Sequence, residues 1–196
     1  MKRAIFWRIS WGILFGALAV TVSAAPVTYN VDPAHTYPAF EADHQGGLSI
    51  WRGKVKRSSG TIVLDKEAET GTVELTMDMS SIDFGHDGMN EHAMASDILD
   101  VEQFPTATYV GRLVDFEDGS PTAVEGTLTL HGVTNPLNLV INRFRCQPHF
   151  RNMREVCGAD AAATFNRDDF GVDYDKDHGF LMGVNLLITI EAHIAE

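Results

Sequence analysis

The sequence predicts an all-β fold, an extended antiparallel barrel of about eight strands closed by a short helical flap. From residue 27 onward apolar side chains recur at every second position, with Gly or charged residues at the turns, which is the period of half-buried strands. Only residues 81–109, SIDFGHDGMNEHAMASDILDVEQFPTATY, break that period; they are small and polar, and 90–97 favours a short helix. A chain of 196 residues is also the length of a single large sandwich or barrel.

The chain opens on a different kind of segment. Lys2, Arg3 and Arg8 precede an apolar run over 9–22, and Ser23, Ala24 and Ala25 end it. This predicts a secretory signal peptide over 1–24, with the barrel domain spanning 25–196. The run is short of the roughly 20 residues that a spanning helix needs, so no stable membrane insertion is expected. Export implies a periplasmic location. Cleavage removes three basic residues and no acidic one, taking the net charge from −12 to −15. An acidic chain repels phosphates, so nucleic acid is excluded as a partner.

Strands follow in order. Residues 27–31 make the first, ended by Asp32-Pro33. Over 40–44, Phe40, Ala42 and His44 share one face, and over 48–57 Trp51, Gly53 and Val55 oppose Ile50, Arg52 and Lys54. Gly53 within that strand predicts a bend or bulge. A strand over 61–65 precedes a charged turn, and Val73, Leu75, Met77 and Met79 then alternate with Glu74, Thr76 and Asp78. Such methionines either fill a core irregularly or line an adaptable cavity. Strands over 106–116, 124–130, 137–144, 161–165 and 183–194 complete the chain, with breaks at 131–136 and a tight helical turn at 166–171.

Cys146 and Cys157 are the two cysteines, and an oxidising compartment predicts a disulfide between them at the base of an exposed excursion. The residues that carry chemistry elsewhere form no recognisable pattern here. Asp83, His86, Asp87, Glu91 and His92 are clustered without a metal-ligand spacing, and Asp173-Tyr174-Asp175-Lys176-Asp177 begins like a calcium loop but has His178 and Val184 where Gly and Glu belong. There is no Gly-x-Ser-x-Gly elbow and no phosphate-cradling glycine motif. No catalytic residue, metal or cofactor is assigned, and the chain is expected to bind and not to catalyse.

Several segments, in order along nearly the whole mature chain, resemble the YceI-like family of exported lipid- or polyisoprenoid-binding proteins. They are Asp32-Pro33-Ala34-His35-Thr36, Phe40 with His44, 60–65, Asn90-Glu91-His92 followed by 100–106, Leu128-Thr129-Leu130-His131-Gly132-Val133-Thr134, and Asn166-Arg167-Asp168-Asp169-Phe170-Gly171. Asn90, Ala93, Ile98-Leu99 and Thr36 depart from the usual pattern, and the 146–157 excursion lies outside it. The resemblance implies a lipocalin-like barrel, a long-chain isoprenoid or acyl lipid as partner, and a homodimer in many relatives. The lipid chain is then expected along the inward residues Phe40, Leu75, Met77, Met79, Tyr109, Leu128, Leu130, Leu186 and Ile188, with Met94 and Ile98 at the flap. His44, His92 or Tyr109 would hold a polar head. Two other classes stay open: a metal- or haem-handling protein using His35, His44, His86 and His92, and a ligand-free, stress-related interaction module.

Overall fold

The computed structural model describes residues 25–196, so the signal-peptide expectation over 1–24 lies outside the described residues. Twelve strands are present: β1 (Val27–Val31), β2 (Tyr37–His44), β3 (Ser49–Val55), β4 (Ser58–Asp65), β5 (Thr70–Asp78), β6 (Ile82–Asp83), β7 (Thr106–Glu117), β8 (Ser120–Leu130), β9 (Val133–Pro136), β10 (Leu139–Pro148), β11 (Glu155–Asn166) and β12 (Gly183–Ile194). One helix, α1 (Asp87–Met94), lies between β6 and β7.

Eight strands close the barrel. Their order is β1-β4-β5-β7-β8-β10-β11-β12, all antiparallel, and β12 returns to β1. Closure pairs the backbone groups that an open edge would leave exposed. Alternation puts Ala107, Tyr109, Gly111 and Leu113 of β7 inside, and Leu186, Ile188 and Ile190 of β12 likewise face inward.

The wall has a seam that period alone does not reveal. β12 pairs with β2 along its first half, Val184 with Ala42, and with β1 along its last residues, Val31 with Ala192. The chain jogs between them at Asp32–Thr36. An Asp32 carboxylate oxygen accepts the Ala34 N–H at 2.8 Å, the Asp32 N–H donates to the Glu191 carbonyl at 2.8 Å, and the fully buried Thr36 hydroxyl both donates to and accepts from the Glu191 backbone at 3.3 Å. The Asp-Pro-Ala-His-Thr run is therefore the splice between two half-staves. A second splice joins β3 to β4, where Ser81 accepts the Lys56 and Arg57 N–H groups at 3.1 and 2.9 Å.

β3 pairs with β2 on one edge and on its other edge has only the two-residue β6. The gap toward β7 is filled by α1 and the turns after it, through Leu99 and Val101 packed on Val55, Met79 and Ala107. The helix starts earlier than the sequence predicts. Gly85, at φ 73°, reverses the chain, and His86 caps the helix by accepting the Met89 N–H at 3.3 Å, so the turns begin at Asp87 and end before Ser96.

Other expectations are corrected. No register shift accompanies Gly53; the glycine is there because the Phe40 ring lies over it, and a Cβ would stand 2.5 Å from Phe40 Cζ. The bulge sits instead between Ile141 and Arg143 of β10. Residues 131–136 are a hairpin and not a plain break: His131 and Gly132 both have positive φ, and β9 folds back on β8. The disulfide excursion is mostly strand, since β10 and β11 run on to Pro148 and from Glu155, leaving a tip of 149–154.

Candidate functional site

A cavity of about 490 Å³ lies inside the barrel beneath α1. Its far end is packed shut by Tyr29, Leu64 and Pro121, each with less than 2% of its surface exposed. There the Tyr29 hydroxyl donates to Glu155, which Lys66 also holds at 3.0 Å, and burial together with that carboxylate keeps the phenol protonated well above its usual range. The walls are aliphatic, from Val73, Leu75 and Leu113 on one side to Leu186, Ile188 and Ile190 on the other. Such a lining gives water few partners, and an apolar cavity of this kind favours an apolar guest.

Aromatic rings crowd the other end. His44 lies against Trp51 and Phe180 at 5.4 and 5.8 Å between centroids, and Phe84 stands edge-on to Phe40 at 5.4 Å. On α1, Met89, His92 and Ala93 face the cavity, the i, i+3, i+4 stripe of a single helix face. Polar lining groups also collect here: Asp43, His44, Gln45, His92, Arg167, Tyr174 and Asp175. Arg167 donates to the carbonyls of Val172 and Tyr174, both at 2.8 Å, and so shapes the loop that rims the mouth. Burial pushes its pKa down, opposed by Asp168, Asp173, Asp43 and Asp175 around it. The Asp43 carboxyl is held below its usual value chiefly by the Leu181 N–H, with Gly46 and Gly47 adding theirs.

The residues expected along a lipid chain are all at this cavity except Met94. Met94 follows Ala93 by one position, which turns it about 100° off the cavity stripe. Tyr109 lines the wall, but its hydroxyl already donates to the Leu137 carbonyl at 2.9 Å, and burial raises its pKa. As a head anchor it retains only lone pairs. His44 and His92 stand at the mouth, where a head group would be. Missed from the sequence were Trp51, Phe84, Met89, Phe180 and Arg167. Two of them carried a signal: Trp51 its place in the alternation of β3, and Arg167 its place in the 166–171 motif.

The proposed histidine clusters do not converge. His35 bonds to Asp32 at the β1–β2 splice, His86 caps α1, and His92 packs on Tyr174. Among the described residues, the donor atoms that come together in a group of three are those of Cys146, Glu155 and Cys157, and the two sulfurs are joined as the expected disulfide. The acidic 173–179 segment forms a loop with a tight turn at Lys176–His178.

Comparison with known proteins agrees with this architecture. A family model described as the YceI-like domain matches residues 29–195. The chain is 29% identical to a UPF0312 protein of Shewanella oneidensis, over 89% of this chain and 90% of that one. It is 31% identical to Protein YceI of Salmonella agona, over 65% of this chain and 68% of the relative. Among solved structures, Burkholderia cenocepacia BcnA superposes with a TM-score of 0.66 at 20% identity, covering 83% of this chain and 99% of that one. A domain from Saccharophagus degradans described as polyisoprenoid-binding superposes with a TM-score of 0.62 at 15% identity, covering 86% and 99%. With its match running from the first strand to the last, this chain belongs to the YceI-like family.

Proposed function

We propose that the chain is a periplasmic carrier for one long-chain amphiphile, a polyisoprenoid, an isoprenoid quinone or a fatty-acyl lipid, exported after loss of residues 1–24. The observation that carries this reading is the apolar cavity of about 490 Å³ with its polar groups gathered at a single end. An amphiphile has the same polarity, and burying its chain gains about 0.8 kcal/mol per methylene before ordering costs. The family and the polyisoprenoid-binding neighbour support a binding role over a catalytic one. Among the described residues, no helix is long and apolar enough to cross a membrane.

Assembly as a homodimer is part of the same proposal. It is supported by a row on the outer face, where Val140 of β10 lies beside Ala162 of β11, and Ala162 beside Leu187 of β12. Val140 and Leu187 are 60% and 52% exposed. A second copy pairing the same row would cover both.

Native mass spectrometry of the mature protein, purified from its own periplasm without tag or detergent, tests the reading. A near-stoichiometric lipid in the spectrum, identified after organic extraction, supports it. Bare mass that persists after incubation with prenols, quinones and fatty acids overturns it.

A further inference from the structure

We infer that the amphiphile is a single chain of about twenty carbons with an uncharged, hydrogen-bonding head, and that the mouth selects against carboxylate and diphosphate heads. This rests on the carrier reading above and narrows it.

The length follows from volume. A cavity of about 150 Å³ holds one benzene, roughly 25 Å³ per carbon. At that density the cavity of about 490 Å³ takes about twenty carbons. With the far end shut by Tyr29, Leu64 and Pro121, a chain of twice that length leaves half of itself in water.

The head preference follows from charge. Among the cavity-lining residues, Arg167 is the one Lys or Arg. Two of its arms are spent on the Val172 and Tyr174 carbonyls. Lys176, the next cation, is bound to Asp168 at 2.6 Å. Against these stand Asp43 and Asp175, which line the cavity, with Asp173 close enough to act on the charge of Arg167 and Asp177 on that of Lys176. Asp43 is satisfied by backbone N–H dipoles, which stabilise its charge without cancelling it, and Asp175 by the exposed His178 at 2.9 Å. The rim is thus net negative. A diphosphate would add charge of the same sign at a half-enclosed site, where screening by water is reduced. An alcohol, amide or quinone adds none, and the Gln45 amide and the Asp43 and Asp175 carboxylates line the mouth with groups that can hydrogen-bond it.

The test is competition binding to delipidated mature protein at low ionic strength, using matched pairs: geranylgeraniol against its diphosphate, and hexadecanamide against palmitate. The neutral member of each pair is expected to bind at least about tenfold more tightly, with the gap shrinking in salt. The gap should also narrow several-fold in Asp173→Asn/Asp175→Asn; asparagine tolerates the positive φ of 56° at Asp175. Equal or tighter binding of the anionic members overturns the head preference while leaving the carrier reading intact. A forty-carbon prenol that binds better than geranylgeraniol overturns the length. If no amphiphile of either kind binds, the carrier reading itself falls.

Discussion

The imidazole of His92 stands edge-on against the phenol of Tyr174, with centroids 5.2 Å apart and planes at 89°. One ring belongs to α1, the other to the loop whose carbonyls Arg167 holds, so this contact pins the flap to the fixed rim of the mouth. The Tyr174 pKa is raised above its ordinary value, first by the charge of Asp175.

His92→Ala is therefore expected to loosen the flap more than the fold. An aromatic pair of this kind is worth about 0.5–1.5 kcal/mol beyond burial, and His92 is exposed, so the loss of stability should fall at or below the low end. Release of a fluorescent fatty-acyl probe in stopped flow should become several-fold faster. His92→Phe, which keeps an edge-on ring, should restore the slow rate. Identical release from His92→Ala would remove the latch.

Met77→Trp probes the cavity without breaking the wall. Met77 is only partly buried in the barrel and lines the cavity from β5, opposite Ala107 of β7. Enlarging a side chain in a packed core costs about 1–3 kcal/mol, but here it grows into empty apolar space, so a cost below about 1 kcal/mol is expected. Probe binding should drop at least tenfold, while the urea midpoint barely moves. A variant that binds normally would place the ligand elsewhere.

Much of this fold was legible because alternation depends only on the sequence. The first and last strands fall at 27–31 and 183–194, as their periods predict, and the inward faces of β2, β3 and β5 follow directly. What alternation cannot see is where a strand stops being straight. Asp43 sits on the outward parity of β2, yet it reaches the mouth because the chain curls there to bind Gly46, Gly47 and Leu181. Alternation groups Trp51 with Gly53 and Val55 on one face, but only the fold brings it beside Phe84, His44 and His86. The splice at Asp32–Thr36 was visible as a motif, but its purpose required knowing that β1 and β2 share β12. Met94 failed for a narrower reason: the helix stripe passes through Met89, His92 and Ala93.

The disulfide should matter for stability and little for binding. Cys146 and Cys157 are direct cross-strand partners with Cα atoms 4.0 Å apart, near the closed end of the barrel and away from the flap. For a loop this short, cross-linking the unfolded chain contributes about 2–3 kcal/mol. Cys146→Ala/Cys157→Ala should lower the unfolding free energy by about that amount in urea titration. Its ligand affinity should stay within about twofold of the parent, since the mouth is untouched. A large loss of affinity at unchanged stability would show that the two ends of the barrel are coupled.

The β1–β2 splice should carry a pH dependence of definite sign. His35 Nδ1 lies 2.7 Å from the Asp32 carboxylate, and His193 Nε2 approaches the same oxygen at 3.2 Å. Hydrogen bonding to Asp32, then its charge, raises the His35 pKa above the ordinary 6.5, with Glu191 adding to the effect. Asp32 is lowered below 3.8: burial works against its charge, but the bonds from His35, the Ala34 N–H and His193 outweigh it. A histidine raised in the folded state stabilises fully below 6.5, and that contribution fades as pH climbs through the raised value. A carboxylate lowered in the folded state stabilises above 3.8 and stops doing so as pH falls through the lowered value. His35→Gln should therefore cost most between these two limits, at about pH 4–6, and the difference from the parent should fade as pH climbs above 6.5 through the raised value. Unfolding curves of both proteins across that range provide the check. A difference that grows with rising pH would mean that the neutral imidazole is the form the splice prefers.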